Sequence, residues 1–308
     1  MNQAQMRNHA RMRAPVRRWI TLILITGLSL PGAAQMPAYR LFREDGKKTR
    51  YEKMAGAAAK ADVVLFGELH DDPIVHWLQL ELTRFLYREK GDRLVLGAEM
   101  FEADNQLILD EYLAGLISED RFEKEARLWE NYETDYKPLV EFAMEHGLRF
   151  IATNIPRRYA NAVYRQGLSV LGEISEKARE YIAPLPLVYD TTLNCYASLA
   201  GGGGMMGDGA MMGHRSGHLR DAQAIKDATM AHFILESLEP GKLMLHFNGA
   251  YHSDDGESMN WFLEQVGAEP EIVTISTVRQ EETGRLEEEF RGKADFIICV
   301  PSTMTRTH

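Results

Sequence analysis

The feature that most constrains this chain is a short, continuous apolar run that recurs and each time stops at polar residues. Val63-Val64-Leu65-Phe66 stops at Gly67-Glu68-Leu69-His70-Asp71-Asp72, and Leu94-Val95-Leu96-Gly97-Ala98 stops at Glu99. A third run, 148–153, stops at Asn154, and a fourth, 243–247, leads into Asn248-Gly249-Ala250-Tyr251-His252. Runs of this length, rich in β-branched residues and bounded by turn signals, read as strands buried on both faces of a parallel sheet. Two more, 271–277 and 295–300, extend the series. Between the first two, Ile74, Trp77, Leu78, Leu82, Phe85 and Leu86 keep helical spacing, with Pro73 at the first turn, Asp71 or Asp72 as the cap and Gly91 as the stop. Such strand–helix–strand units cross over right-handedly. The expected fold is α/β, a mainly parallel sheet flanked by helices in one domain over residues 36–308. Helices within about 104–147 and 157–220 exceed what a crossover needs and predict a small inserted helical lobe.

In open α/β sheets the ligand crevice lies at the carboxyl ends of the strands. Glu68, His70, Glu99 and His252 would all reach that rim. Each taken singly fits a helix cap or an ion pair; their convergence is what points to chemistry. Two carboxylates and two imidazoles suit a first shell for Zn²⁺, Mn²⁺ or Fe²⁺. They suit equally an acid/base pair without metal. Asp71, Asn154, Arg157, Gln223 and Asp227 are supporting candidates, the last two four apart on a helix expected from about His218 to Leu238. His76, His146, His232 and His246 read as structural. No HExxH, GxSxG or GxxxxGK[ST] occurs, which removes support for zincin, serine-hydrolase and P-loop chemistry.

The net charge of −10 conceals an asymmetry. Residues 1–35 hold five arginines and no acidic residue, so the remainder is strongly acidic and lacks the basic stripe a nucleic-acid surface needs. The same segment reads as a signal peptide: a basic region to Arg18, an apolar stretch from Trp19 to Leu30, and small residues at Pro31-Gly32-Ala33-Ala34. An uncleaved anchor is the competing reading, although the stretch is short for a membrane span. No cysteine lies there to accept a lipid. The expectation is an exported protein, periplasmic or associated with the outer membrane. Of the two cysteines, Cys299 sits in an apolar run and reads as a buried thiol, so no disulfide is expected.

Residues 201–213 form a glycine and methionine run with Met205, Met206, Met211 and Met212, followed by His214 and His218. Such a composition suits a surface loop. A lid of soft Met and His side chains over a flat apolar ligand or a metal is the functional alternative.

Gly67-Glu68-Leu69-His70-Asp71, Glu99-Met100-Phe101, Asn154-Ile155-Pro156-Arg157, the stretch 222–231 around Gln223 and Asp227, and Asn248-Gly249-Ala250-Tyr251-His252 together resemble the ChaN-like haem-binding proteins of bacterial iron uptake. That family is part of a superfamily with Tiki, TraB and the erythromycin esterases. The likeness spans about residues 50–280. It implies haem as cofactor, an outer-membrane haem receptor as partner, and a homodimer with two haems stacked between protomers. It also implies a tyrosine oxygen as iron ligand, for which Tyr189 and Tyr196 are the candidates here. The lipoprotein pattern of the family is not matched, because there is no lipobox cysteine. The esterase and peptidase branches imply a second possibility, a metal-dependent hydrolase using Glu68, His70, Glu99 and His252, so whether the chain is an enzyme stays open.

Overall fold

The apolar runs pair side by side into one sheet. The computed structural model describes residues 37–199, 218–265 and 270–308. The expected signal peptide and the glycine–methionine run with His214 lie outside the described residues. The strands are β1 (Arg40–Arg43), β2 (Val63–Glu68), β3 (Leu94–Glu102), β4 (Phe150–Asn154), β5 (Leu243–Gly249), β6 (Ile272–Gln280) and β7 (Phe296–Pro301). Their order is β1-β7-β6-β2-β5-β3-β4, and every pairing is parallel except β1 with β7. The antiparallel edge β1 was not expected from the sequence. Its four residues, Arg-Leu-Phe-Arg, carry only two apolar side chains, too few for a periodic signal.

Strand side chains alternate between faces, so a strand buried on both must be apolar throughout. In β2, Val64 and Phe66 enter the largest core cluster, whereas Val63 and Leu65 enter a second one. The first cluster is roofed by α1 (Tyr51–Ala58), α2 (Pro73–Lys90), α3 (Gln106–Leu113), α4 (Glu119–Glu125) and α5 (Lys137–His146). Beyond these lie α6 (Arg157–Gln166) and the short α7 (Glu176–Arg179) and α8 (Asn194–Ala197). The second face is covered by α9 (Leu219–Ser237) and α10 (Met259–Glu264). A third cluster joins α6 to α9 through Val163, Leu171, Ile182 and Ile225. Within the region expected to hold helices from 157 onward, α6 ends at Gln166 and Gly167 breaks the helix before the next short turn. Pro37–His308 forms one compact unit. Both cysteines are free thiols.

The start of α2 follows the sequence closely. Asp72 is its N-cap and accepts from the Ile74 N–H at 3.0 Å and the Val75 N–H at 3.3 Å, with Pro73 at the first helical position. This cap brings the chain sharply away from the sheet, so that Glu68 and His70 stay at the strand end.

Gly67 marks where the backbone is closest to its neighbours. A Cβ built there would lie 2.9 Å from Ala250 Cα, 3.0 Å from Ser253 Oγ and 3.1 Å from the Ile275 carbonyl oxygen. Gly56, inside α1, has nothing within 4 Å of such a Cβ. Gly67→Ala should therefore destabilise by about 1–3 kcal/mol through overpacking. Gly56→Ala should stabilise by up to ~1 kcal/mol, because alanine is the better helix former. Equilibrium denaturation checks both signs; equal effects would contradict this packing.

Candidate functional site

The order of strands in the sheet places β5 between β2 and β3, and this brings three rim segments together. In register, Glu68 lies opposite Gly249 and Ala98 opposite Phe247. Glu99 is not past a strand end, as the apolar run suggested, but inside β3. The pairing of β3 with β4 slips between Ala98 and Glu102, an irregularity of the kind that re-aims a side chain.

Glu99, His252 and Asp227 form one buried cluster. His252 Nε2 lies 3.1 Å from Glu99 Oε1, and its Nδ1 bonds Asp227 Oδ1. The Gly249 N–H donates to Glu99 Oε2 at 2.8 Å, and the Tyr196 hydroxyl donates to Asp227 Oδ2 at 2.7 Å. The Gln223 amide rests against the same imidazole. All of these side chains are buried. Burial alone would push the His252 pKa down, but the flanking Glu99 and Asp227 carboxylates raise it to about 10. Burial likewise works against Glu99 ionising, and His252 overcomes it, holding Glu99 well below the usual carboxylate range. Asp227 is raised by burial, partly offset by the imidazolium. The cluster is a cation held between two anions.

Glu68 is the centre of a second cluster. Its Oε1 lies 2.8 Å from His70 Nδ1 and accepts from the Tyr136 hydroxyl at 2.6 Å, and its Oε2 accepts from Gln79 Nε2. His76 Nδ1 stands 3.9 Å from Oε2. Burial would raise the Glu68 pKa, yet the facing imidazoles and the phenol lower it. The His70 side chain is 40% exposed while Glu68 is fully enclosed, so His70 is the part of this pair that solvent reaches. Its ring fits because position 249 is glycine: a Cβ there would come within 2.9 Å of His70 Cε1 and Nε2. The edge of Trp129 packs on the ring at 5.0 Å. Burial acts to lower the His70 pKa, and Glu68 more than reverses it.

The rim therefore gathers all four candidates, Glu68, His70, Glu99 and His252, together with Gln223 and Asp227. Other candidates lie apart. Asp71 pairs with Arg279 at 2.8 Å and with Arg306 at 3.0 Å. Asn154 ends β4 at the sheet's edge, and Arg157 is exposed on the first turn of α6. His246 is structural, as read: it is buried beside Thr153 and Asn248, and burial pushes its pKa down to about 4. His76, read as a packed or surface histidine and not as a site residue, belongs to the Glu68 cluster. Gln79 and Tyr136 were missed. The spacing of His76 and Gln79, three apart on one face of α2, was the available signal; Tyr136 had none.

The donor set does not fit a Zn²⁺, Mn²⁺ or Fe²⁺ centre. Among the described residues no three His, Cys, Asp or Glu side chains are grouped to hold an ion. His252 spends both nitrogens on carboxylates, and the Nδ1 of His70 faces Glu68. For haem, the two tyrosines differ. Tyr196 is fully buried, with its hydroxyl on Asp227. Tyr189 is half-buried, packs edge-on against Tyr196 at 5.1 Å and donates its hydroxyl to Asp221. Burial, then Asp221, push the Tyr189 pKa up to about 12, against the pull of Arg220. Tyr189 is thus the more accessible of the two phenols, with its hydroxyl on Asp221 and Arg220 beside it.

His252→Gln would leave Glu99 and Asp227 buried around no cation, at a cost of about 3–5 kcal/mol. The unfolded imidazole titrates near its ordinary ~6.5 and the folded one at about 10. The stabilisation is thus complete below the first value and lost as pH rises through the second. The Tm gap between wild type and His252→Gln should narrow between those limits; a constant gap would contradict the clamp.

Among solved structures, the chain resembles cofacial heme binding to ChaN of Campylobacter jejuni, with 15% identity, 84% of this chain and 96% of that one covered, and a TM-score of 0.57. An erythromycin esterase mutant in its open conformation (12% identity, 88% and 83% covered, TM-score 0.44) and a succinoglycan biosynthesis protein (12%, 83% and 91%, 0.48) are more distant likenesses. At these identities the likeness is one of fold. No curated protein sequence matches the chain. The family model described as haem-binding uptake, Tiki superfamily, ChaN matches residues 54–263, most of the chain, and the protein belongs to that family.

Proposed function

We propose that this protein binds haem through Tyr189 and serves haem or iron uptake as an exported protein of the periplasm or outer-membrane surface. Membership of a haem-binding family supports haem as the ligand. The observation that carries the choice of residue is the half-buried Tyr189 hydroxyl, held on Asp221 beside Arg220. Bound there, ferric haem would supply a Lewis-acidic iron for a phenolate oxygen. Asp221 holds the phenol by accepting its hydrogen bond, the proton would leave to solvent on ligation, and Arg220 would balance the negative charge of the phenolate. Because ligation displaces a proton from a phenol with a raised pKa, affinity should rise with pH.

What supports export is the composition of residues 1–35, a basic stretch followed by an apolar one and small residues, the pattern of a signal peptide. An outer-membrane haem receptor is the proposed partner. A homodimer is proposed by extension from the cofacial heme binding named for the Campylobacter jejuni protein.

A second reading, a hydrolase, is favoured by one observation, the enclosed Glu68 beneath a half-exposed His70. It runs without metal, since the donor set does not converge on an ion. Glu68 would orient the imidazole, and His70 would take a proton from water. The raised His70 pKa means such activity would climb with pH above the ordinary imidazole range.

Haemin titration separates the two. A saturable high-spin Soret spectrum of tyrosinate type is expected, with binding weakened at least about tenfold in Tyr189→Phe, the loss of one charged-ligand interaction. Tyr196→Phe should keep the spectrum and lower Tm. Non-saturating absorption would overturn the haem reading. Ester or peptide hydrolysis abolished by Glu68→Gln would establish the second reading.

A further inference from the structure

Away from the tyrosines, a cavity of about 310 Å³ opens between α2, the wide helical turn Tyr132–Tyr136 and the start of α5. Trp77, Leu80 and Leu139 form its apolar walls, and His76, Asp135 and Thr307 bring polar groups to it. The volume reaches the range of small-molecule sites, ~300–1,000 Å³, and the mixture of apolar walls with a few convergent polar groups is typical of them. Trp77 is 48% exposed, so one large aromatic surface of the cavity is open to solvent.

Asp135 gives the cavity its sign. It is 3% exposed, and its Oδ2 accepts from Asn131 at 2.7 Å and from Thr307 at 2.8 Å, with His76 Nε2 at 3.4 Å. These three contacts share one oxygen, whereas a carboxylate accepts at two. A buried carboxylate facing a cavity favours a cation there, and an indole beside it adds cation–π attraction. The chain's net charge of −10 acts in the same direction at longer range.

We propose that this cavity binds a small protonated amine with a flat apolar body, an arylalkylammonium, Asp135 taking the ammonium and Trp77 the ring. The site is separate from Tyr189 and does not depend on the haem reading. It touches the rim at one point: His76 Nε2 and Asn131 Nδ2 both bond the His70 carbonyl oxygen, at 3.0 and 2.9 Å. Asp135 thereby holds the two residues that fix the His70 backbone.

Calorimetric titration with three probes of matched size but different charge tests this: phenethylammonium, 2-phenylethanol and phenylacetate. Saturable binding of the ammonium is expected, with the alcohol at least about tenfold weaker, as for a lost charge-assisted hydrogen bond, and the carboxylate weaker still. Asp135→Asn should bring ammonium and alcohol to within about twofold of each other, and Trp77→Ala should weaken both. No saturable ammonium binding, an undiminished ammonium preference in Asp135→Asn, or unchanged binding in Trp77→Ala would each overturn the proposal. Should Asp135→Asn fail to fold, the probe ranking with wild type and the exposed-site variant Trp77→Ala decide it.

Discussion

The imidazolium of His252 between Glu99 and Asp227 is the interaction on which the rest of this site depends. Each partner comes from a different element: Glu99 from β3, His252 from the turn after β5, Asp227 from α9. Asp227 then takes the Tyr196 hydroxyl, and Tyr196 carries the ring of Tyr189. The segment 189–199 is further pinned by Glu257, which accepts from the backbone N–H groups of Asn194 and Cys195. One cation therefore joins the sheet to the segment bearing the proposed haem ligand. Buried charges of this kind add little net stability compared with apolar packing, but they penalise every arrangement that leaves one of them unpaired.

The Glu68 cluster does a different job beside it. Gln79, Tyr136 and His76 enclose the carboxylate and leave His70 as the solvent-facing group. The two clusters are neighbours, as the carboxylate of Glu99 also acts on His70. Yet each is internally satisfied, and this is why four residues that look like a metal shell on paper do not converge on an ion. With these carboxylates and imidazoles engaged with one another, no group of three is left to hold an ion among the described residues.

Most of the sheet was legible because parallel strands must be apolar on both faces, and six runs such as Val63–Phe66 announce that directly. The start of α2 was legible from Pro73 and the acidic pair before it, although the sequence left the cap open between Asp71 and Asp72. What could not be read was anything set by tertiary contact. The edge strand Arg40–Arg43 borrows its identity from β7, and Tyr136 reaches Glu68 only because the chain folds back across 68 positions. Glu99, Asp227 and His252 were each singled out, but not their pairing, which follows from β5 inserting between β2 and β3. Tyr196 and Tyr189 were indistinguishable as sequence; burial separates them.

The most direct measurement is the protonation of His252 itself, by ¹⁵N imidazole chemical shifts in protein selectively labelled at histidine and assigned with His252→Gln. The account predicts a ring doubly protonated through neutral pH that titrates only near pH 10. A neutral single tautomer at pH 7, or titration near the ordinary ~6.5, would contradict the clamp and with it the positioning of the 189–199 segment.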